Sequence, residues 1–306
     1  MILYISTSQK IFEYNVSSKK LEIIYQIKPG FFSFFKKDYK SFFGITYKSS
    51  NNKIYFACRD RLGSKKLNKP TTDATIYSYC LVEKKIQKYL NVSNIHDVHQ
   101  IKFYKEYILM TDCGQNRVVI YNIYTKEFKY LNIGKIREDI NHINAVLVEN
   151  GSLLINLNNN GFRESQIYSY KIEDIINSNN KDMFFEPEKI FNISDIYHTH
   201  DLFNLDSDII FCDSHKGKIL RLSDQKYIYK IDGWARGIAT IDKKLFIGSS
   251  MRSNRSTRHT SNLDAKLYRI DLFEKKVELE TVLPQCGQLN DIVAVNNGQQ
   301  IMNDHA

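Results

Sequence analysis

Proline is almost missing from this chain, with 4 among 306 residues, and tryptophan occurs once. No apolar run approaches the roughly 20 residues of a membrane-spanning helix, so no such helix is expected. The N-terminal "MILYISTSQKIFEYNV" lacks a basic segment followed by an apolar stretch and a small-residue cleavage site, which argues against a secretory signal and for a cytoplasmic protein. The five cysteines (Cys58, Cys80, Cys113, Cys212 and Cys286) contain no CxxC pair, and their odd number argues against a closed disulfide framework. The GxSxG elbow, P-loop, HExxH and GxGxxG patterns are also missing, and with them the most direct signs of serine hydrolase, NTPase, zincin or dinucleotide chemistry. No nucleic-acid-binding signature is present, so nucleic acid is not the expected partner.

What the chain does contain points to strands. It holds 20 tyrosines and 18 phenylalanines, and runs such as "KIYFAC" and "RVVIYNI" mix β-branched with aromatic residues. With 42% hydrophobic and 25% charged residues, the composition is that of a folded globular chain. No linker divides it, and residues 1–306 read as one domain.

Aligned against itself, the chain repeats one opening: "FFGITY", "VHQIKF", "INAVLV", "THDLFN", "ARGIAT" and "LNDIVAV". The anchor residues Phe43, His99, Asn144, His200, Arg236 and Asn290 recur about every 49 residues, the period of a four-stranded propeller blade. The second repeat is the clearest, with strands "QIKFY", "YILMTDC", "RVVIYNI" and "EFKYL". The first and third repeats are stretched by insertions rather than by extra strands. Residues 2–27 supply three strands that lack an innermost partner, and C-terminal "NDIVAV" can provide it, closing the ring. The expectation is an all-β, six-bladed propeller. "QQIMND" near the end leaves a seventh blade open.

First strands of propeller blades line a channel, so the anchors and the residues two before them (Ser41, Asp97, His142, His198, Trp234 and Gln288) are expected to meet at one mouth. Four of the eight histidines fall among these twelve positions, where random placement would put roughly 0.3. His99, His142, His200 and Arg236 are therefore candidate catalytic groups. Asp97, Asn144, Trp234, Asn290 and Asp291 are candidate ligand-binding groups. His198 and His200, spaced as His-x-His, are candidate ligands with His99 for a divalent metal, with Asp97 or Asp201 beside them. Metal-free histidine chemistry and a hydrogen-bonded polar ring without chemistry are the competing readings. All of these depend on register, since a slip of one residue reverses every side chain.

His96, His215, His259 and His305 read as loop or tail residues, and Cys58, Cys113 and Cys212 as small buried thiols at comparable strand ends. The net charge is +9. Arg59, Arg61, Lys65, Lys66 and Lys69 in one insertion and Arg252, Arg255 and Arg258 in another would place a cationic rim around the mouth. A small anionic or carbohydrate-like molecule is the expected partner. Metal-dependent lyase, hydrolase or transferase chemistry would follow, with a non-catalytic platform for protein or glycan as the alternative.

The segment "NHINAVLVENGSLLINL" resembles the arylsulfotransferase-like strand opening His-x-Asn, and the whole pattern resembles the six-bladed superfamily that also holds SMP-30-like and NHL-type proteins. That resemblance implies a channel role in sulfuryl transfer for His142 and Asn144. It stops after the second strand, where "NLNNNG" stands in place of an arginine. "WARGIATIDKKLFIGSS" resembles one blade of uncharacterised bacterial propeller proteins associated with polysaccharide or secondary-metabolite genes.

Overall fold

The computed structural model describes residues 1–27, 39–61, 73–134, 140–254, 257 and 263–295. Strands β1 (Ile2–Thr7), β2 (Lys10–Asn15) and β3 (Lys20–Gln26) open the chain, followed by the sheet of β4 (Tyr39–Lys48), β5 (Lys53–Arg61), β6 (Ala74–Cys80) and β7 (Lys85–Val92). The next sheet holds β8 (Ile101–Tyr104), β9 (Tyr107–Asp112), β10 (Arg117–Asn122) and β11 (Phe128–Asn132). It is followed by β12 (Ile143–Glu149), β13 (Ser152–Leu157) and β14 (Gln166–Lys171), then helix α1 (Ile172–Asn177), β15 (Asp182–Met183) and β16 (Lys189–Asn192). The last two consecutive sheets are β17 (Thr199–Leu205), β18 (Asp208–Asp213), β19 (Lys218–Arg221), β20 (Tyr227–Lys230), and β21 (Trp234–Ile241), β22 (Lys244–Ser250), β23 (Ala265–Asp271), β24 (Val277–Leu283).

Strand β25 (Leu289–Val295) pairs antiparallel with β1, so the two ends of the chain share one sheet in the order β25-β1-β2-β3. The architecture is a six-bladed β-propeller closed by that pairing. "QQIMND" lies outside the described residues. The third repeat departs from expectation: its insertion contains α1 and the short β15, and β15 adds to β11 in parallel as a fifth strand. Two residues of pairing leave almost no sequence signal.

The described chain falls into two compact units, Met1–His96 with the stretch from Ile231, and Asp97–Lys230. Three sheets lie in each. Third strands such as β10 are buried along nearly their whole length, whereas β3, the outermost strand of its sheet, is half exposed. Within the second unit, Leu109, Val118 and Leu131 pack on Val146, Leu153 and Ile155, and Ala145 and Leu154 pack on Phe211 and Leu220. Each fully buried aliphatic side chain contributes about 1.5–3 kcal/mol.

Two local devices recur. Between third and fourth strands, Asn15, Asn122 and Asp271 each accept two backbone N–H groups from the following turn, which closes through a left-handed lysine (Lys19, Lys126, Lys275). At the start of five first strands the register shifts: between Phe42 and Ile45, Ile143 and Ala145, His200 and Phe203, Arg236 and Ile238, and opposite Ser6/Thr7 in β25. Five of the six anchor positions, all but His99, thus sit at β-bulges, which re-aim side chains.

Candidate metal centre

His99 precedes β8, where the ladder has not yet begun. The Thr111 hydroxyl on β9 accepts the backbone N–H groups of both His99 (3.0 Å) and Gln100 (2.9 Å), holding this stretch against the second strand. Cys113 follows β9 in a tight turn, Cys113–Gln115. That turn is fixed by the buried carboxylate of Asp112, which accepts from Gln115 Nε2 (3.2 Å) and Arg117 Nε (2.9 Å). His142 sits just before β12 on the next blade, with a left-handed backbone (φ 46°) that is uncommon outside glycine and asparagine.

These three buried residues converge. Potential ligand atoms of His99, Cys113 and His142 all lie within 4.8 Å of one another. The two imidazoles meet edge to face with centroids 4.9 Å apart. The Cys113 thiol contacts the Ile143 carbonyl, and Asp97 Oδ1 lies 3.3 Å from His99 Nε2. Asp97 is itself left-handed (φ 75°), and its carbonyl accepts the Cys113 N–H. Tetrahedral ligands at about 2.0–2.3 Å from an ion stand roughly 3.3–3.8 Å apart, a spacing that falls within the 4.8 Å bound on this set.

His198 and His200 do not join this cluster. His198 lies before β17 and its ring stacks on His215, with centroids 3.6 Å apart. His200 Nδ1 pairs with the Ser214 hydroxyl at 2.8 Å. The bulge after His200, with Asp201 left-handed (φ 56°), marks the place where simple alternation along the strand fails. Two residues that sequence reasoning set aside, Cys113 and His215, thus stand beside the histidines it singled out. For Cys113 the available signal was its position at the second-strand end, next to the first-strand start that carries His99.

Other anchors have structural partners. Asn144 Nδ2 donates to the Thr199 carbonyl (2.8 Å), and Gln100 Oε1 accepts from Val146 N (2.8 Å). In the first unit, Asn290 Nδ2 donates to the Phe42 carbonyl (2.7 Å) and Asp291 Oδ2 accepts from Ile45 N (3.1 Å). These bonds tie β12 to β17, the start of β8 to β12, and β25 to β4. Arg236 faces Gln288, whose amide oxygen, turned toward the guanidinium, accepts from Nε at 2.7 Å and Nη1 at 2.8 Å. The bulge beside it needs Gly237 (φ 71°), because a Cβ there would stand 2.8 Å from Ile292. Trp234 pairs with Ser250 at the start of β21. Arg59 stacks on the Phe43 ring at 3.7 Å, while Lys65, Lys66, Lys69, Arg255 and Arg258 lie outside the described residues, as do His259 and His305.

No family model matches this chain, and no curated protein matches it. Among solved structures it is similar to one described as "Crystal structure of Nidogen/Laminin Complex", with a TM-score of 0.63 and 11% identity over 95% of this chain and 97% of that one. At that identity the likeness shows the fold alone. No helix among the described residues is long and apolar enough to cross a membrane.

Proposed function

We propose that this propeller is a metal-binding protein in which His99, His142 and Cys113 hold one divalent transition cation. The observation that carries this reading is the convergence of two imidazoles and a thiol, from two neighbouring blades, in one buried place. Two nitrogens and one sulfur suit zinc, and three protein ligands leave the fourth position for water or substrate. Asp97, with Oδ1 3.3 Å from His99 Nε2, orients the imidazole. A cation held by these residues would supply Lewis-acid chemistry or an activated water, in keeping with lyase, hydrolase or transfer chemistry on a small anionic or carbohydrate-like ligand. The proposed ligand contacts of Arg236, Trp234, Asn290 and Asp291 form a separate reading, which Arg236→Lys tests through ligand affinity at unchanged metal content.

The test is elemental analysis of protein purified without an affinity tag, alongside Cys113→Ser and His142→Ala variants shown to be folded. One equivalent of metal that these variants lose, together with a thiolate charge-transfer band in the cobalt-substituted wild type, is expected. Metal content unchanged by Cys113→Ser, with no such band, overturns the assignment.

A further inference from the structure

In the first unit, the turns after the first and third strands leave each sheet at the end opposite the anchor positions, as the pairings Ile2↔Asn15, Lys53↔Cys80 and Lys244↔Asp271 require. Within each sheet the third-strand turn is fastened to the other end of the pairing: Val16 N donates to the Met1 carbonyl (3.1 Å), Leu81 N to that of Asn52 (3.2 Å) and Leu272 N to that of Lys243 (3.1 Å). Ion pairs then join neighbouring sheets, Lys84 to Glu13 (3.2 Å) and Lys19 to Glu280 (3.5 Å). The turns of the three sheets therefore adjoin on one face. Residues 81–85 read LVEKK and residues 272–276 read LFEKK. The second residue of each stands out from its turn, Val82 being 76% and Phe273 91% exposed. Phe273 is held there by Asp271, whose Oδ1 accepts from Phe273 N and Glu274 N at 2.9 Å each. The second unit repeats the device in its own turn, where Asn122 accepts from Tyr124 N (2.8 Å) and Tyr124 is exposed.

We propose that this face of the first unit docks on an anionic lipid bilayer, with Val82 and Phe273 entering the boundary between headgroups and acyl chains and the surrounding lysines meeting the lipid phosphates. Charge complementarity selects an anionic partner: residues 16–20, 49–53, 81–85, 242–244 and 272–276 hold nine lysines against three carboxylates. Lys85, Lys243 and Lys275 are exposed, and the long stem of a lysine lets its ammonium reach headgroups while the backbone stays above them. The tips select a bilayer among anionic partners. A valine and a phenylalanine at one turn position share apolarity and nothing else, since valine neither stacks on a base nor forms a hydrogen bond through its side chain. Water gives no reason to hold either side chain out, whereas the acyl boundary takes both. Neither tip belongs to the core or to the buried metal cluster, so docking at this end leaves the anchor positions at the other end untouched.

The experiment is co-sedimentation of the full chain with vesicles of phosphatidylcholine alone and with vesicles of phosphatidylcholine and phosphatidylglycerol in equal parts. Wild type is compared with a Val82→Ser, Phe273→Ser variant and a Lys85→Gln, Lys275→Gln variant, each checked for folding by near-ultraviolet circular dichroism. Wild type is expected to sediment with the anionic vesicles, to stay in solution with the neutral ones, and to be released as salt screens the lysines. The lysine variant should bind about 30-fold more weakly, and the tip variant roughly 10-fold more weakly at unchanged net charge. Wild type that ignores anionic vesicles, or binding that both variants retain in full, overturns the proposal. So does binding that the lysine variant loses and the tip variant keeps, which is the behaviour of a contact with nucleic acid or an acidic protein surface through charge alone.

Discussion

Two histidine clusters share one unit of this propeller and are built in opposite ways. His99, Cys113 and His142 come from two blades, are buried, and draw their positions from the first- and second-strand ends. His198, His215 and Asp213 come from one blade and lie on an open pocket at a hairpin turn. The first arrangement is rigid because interblade packing fixes it. The second relies on a few hydrogen bonds within one turn and on a glycine that leaves room. The donors of the first are thus shielded from solvent, and the side chains of the second are open to it.

Four substitutions break or sharpen this contrast. The largest effect is expected from Asp112→Ala, which leaves the buried Arg117 without this carboxylate at the turn that carries Cys113. Urea unfolding should show a loss of about 3–5 kcal/mol, and the buried cluster should lose metal. Asp97→Asn removes a charge beside His99 with little change in shape. Metal affinity of the buried cluster should fall about 10- to 100-fold in a competition titration, with the cobalt thiolate band retained.

Gly161→Ala acts only on the pocket. Its left-handed backbone costs about 1–2 kcal/mol for a residue with a Cβ, and the added carbon displaces His198. Histidine NMR signals of His198 and His215 should shift, and those of His99 and His142 should not. The smallest effect belongs to Glu278→Gln on β24, outside both clusters. Lys276 and Arg269 hold the Glu278 carboxyl down at about 2. A depressed folded-state pKa means that its contribution is present above the ordinary carboxylate range and fades as pH falls toward 2. Acid unfolding of the variant should be slightly less steep in that window, with zinc uptake at neutral pH unchanged.

The comparison also separates what the sequence displayed from what it hid. Strands β8 to β11 fall where "QIKFY", "YILMTDC", "RVVIYNI" and "EFKYL" place them, because strand propensity and burial are written in consecutive residues. The closure of "NDIVAV" on "ILYIST" was legible for the same reason, as an unpaired first strand seeking an edge. The polar enrichment at the anchors was real, but it has more than one cause. His99 and His142 face each other, whereas Asn144, Asn290 and Asp291 bond to the backbone of the following blade. A hydrogen bond between blades and a ligand to a metal call for the same polar residue types at the same repeat position.

The sequence by itself determined the repeat, the four-stranded unit, the closing pair and the concentration of histidines at first-strand starts. Only the tertiary structure decided which histidines meet. A bulge inserts one residue into a strand without altering its composition, and it turns His200 toward Ser214 and leaves His198 on His215. Cys113 looked like Cys58 and Cys212, small thiols at equivalent strand ends, until the neighbouring blade brought His142 beside it. Local alternation is encoded residue by residue, but convergence between blades depends on twist and bulge geometry summed over two strands and the turn between them.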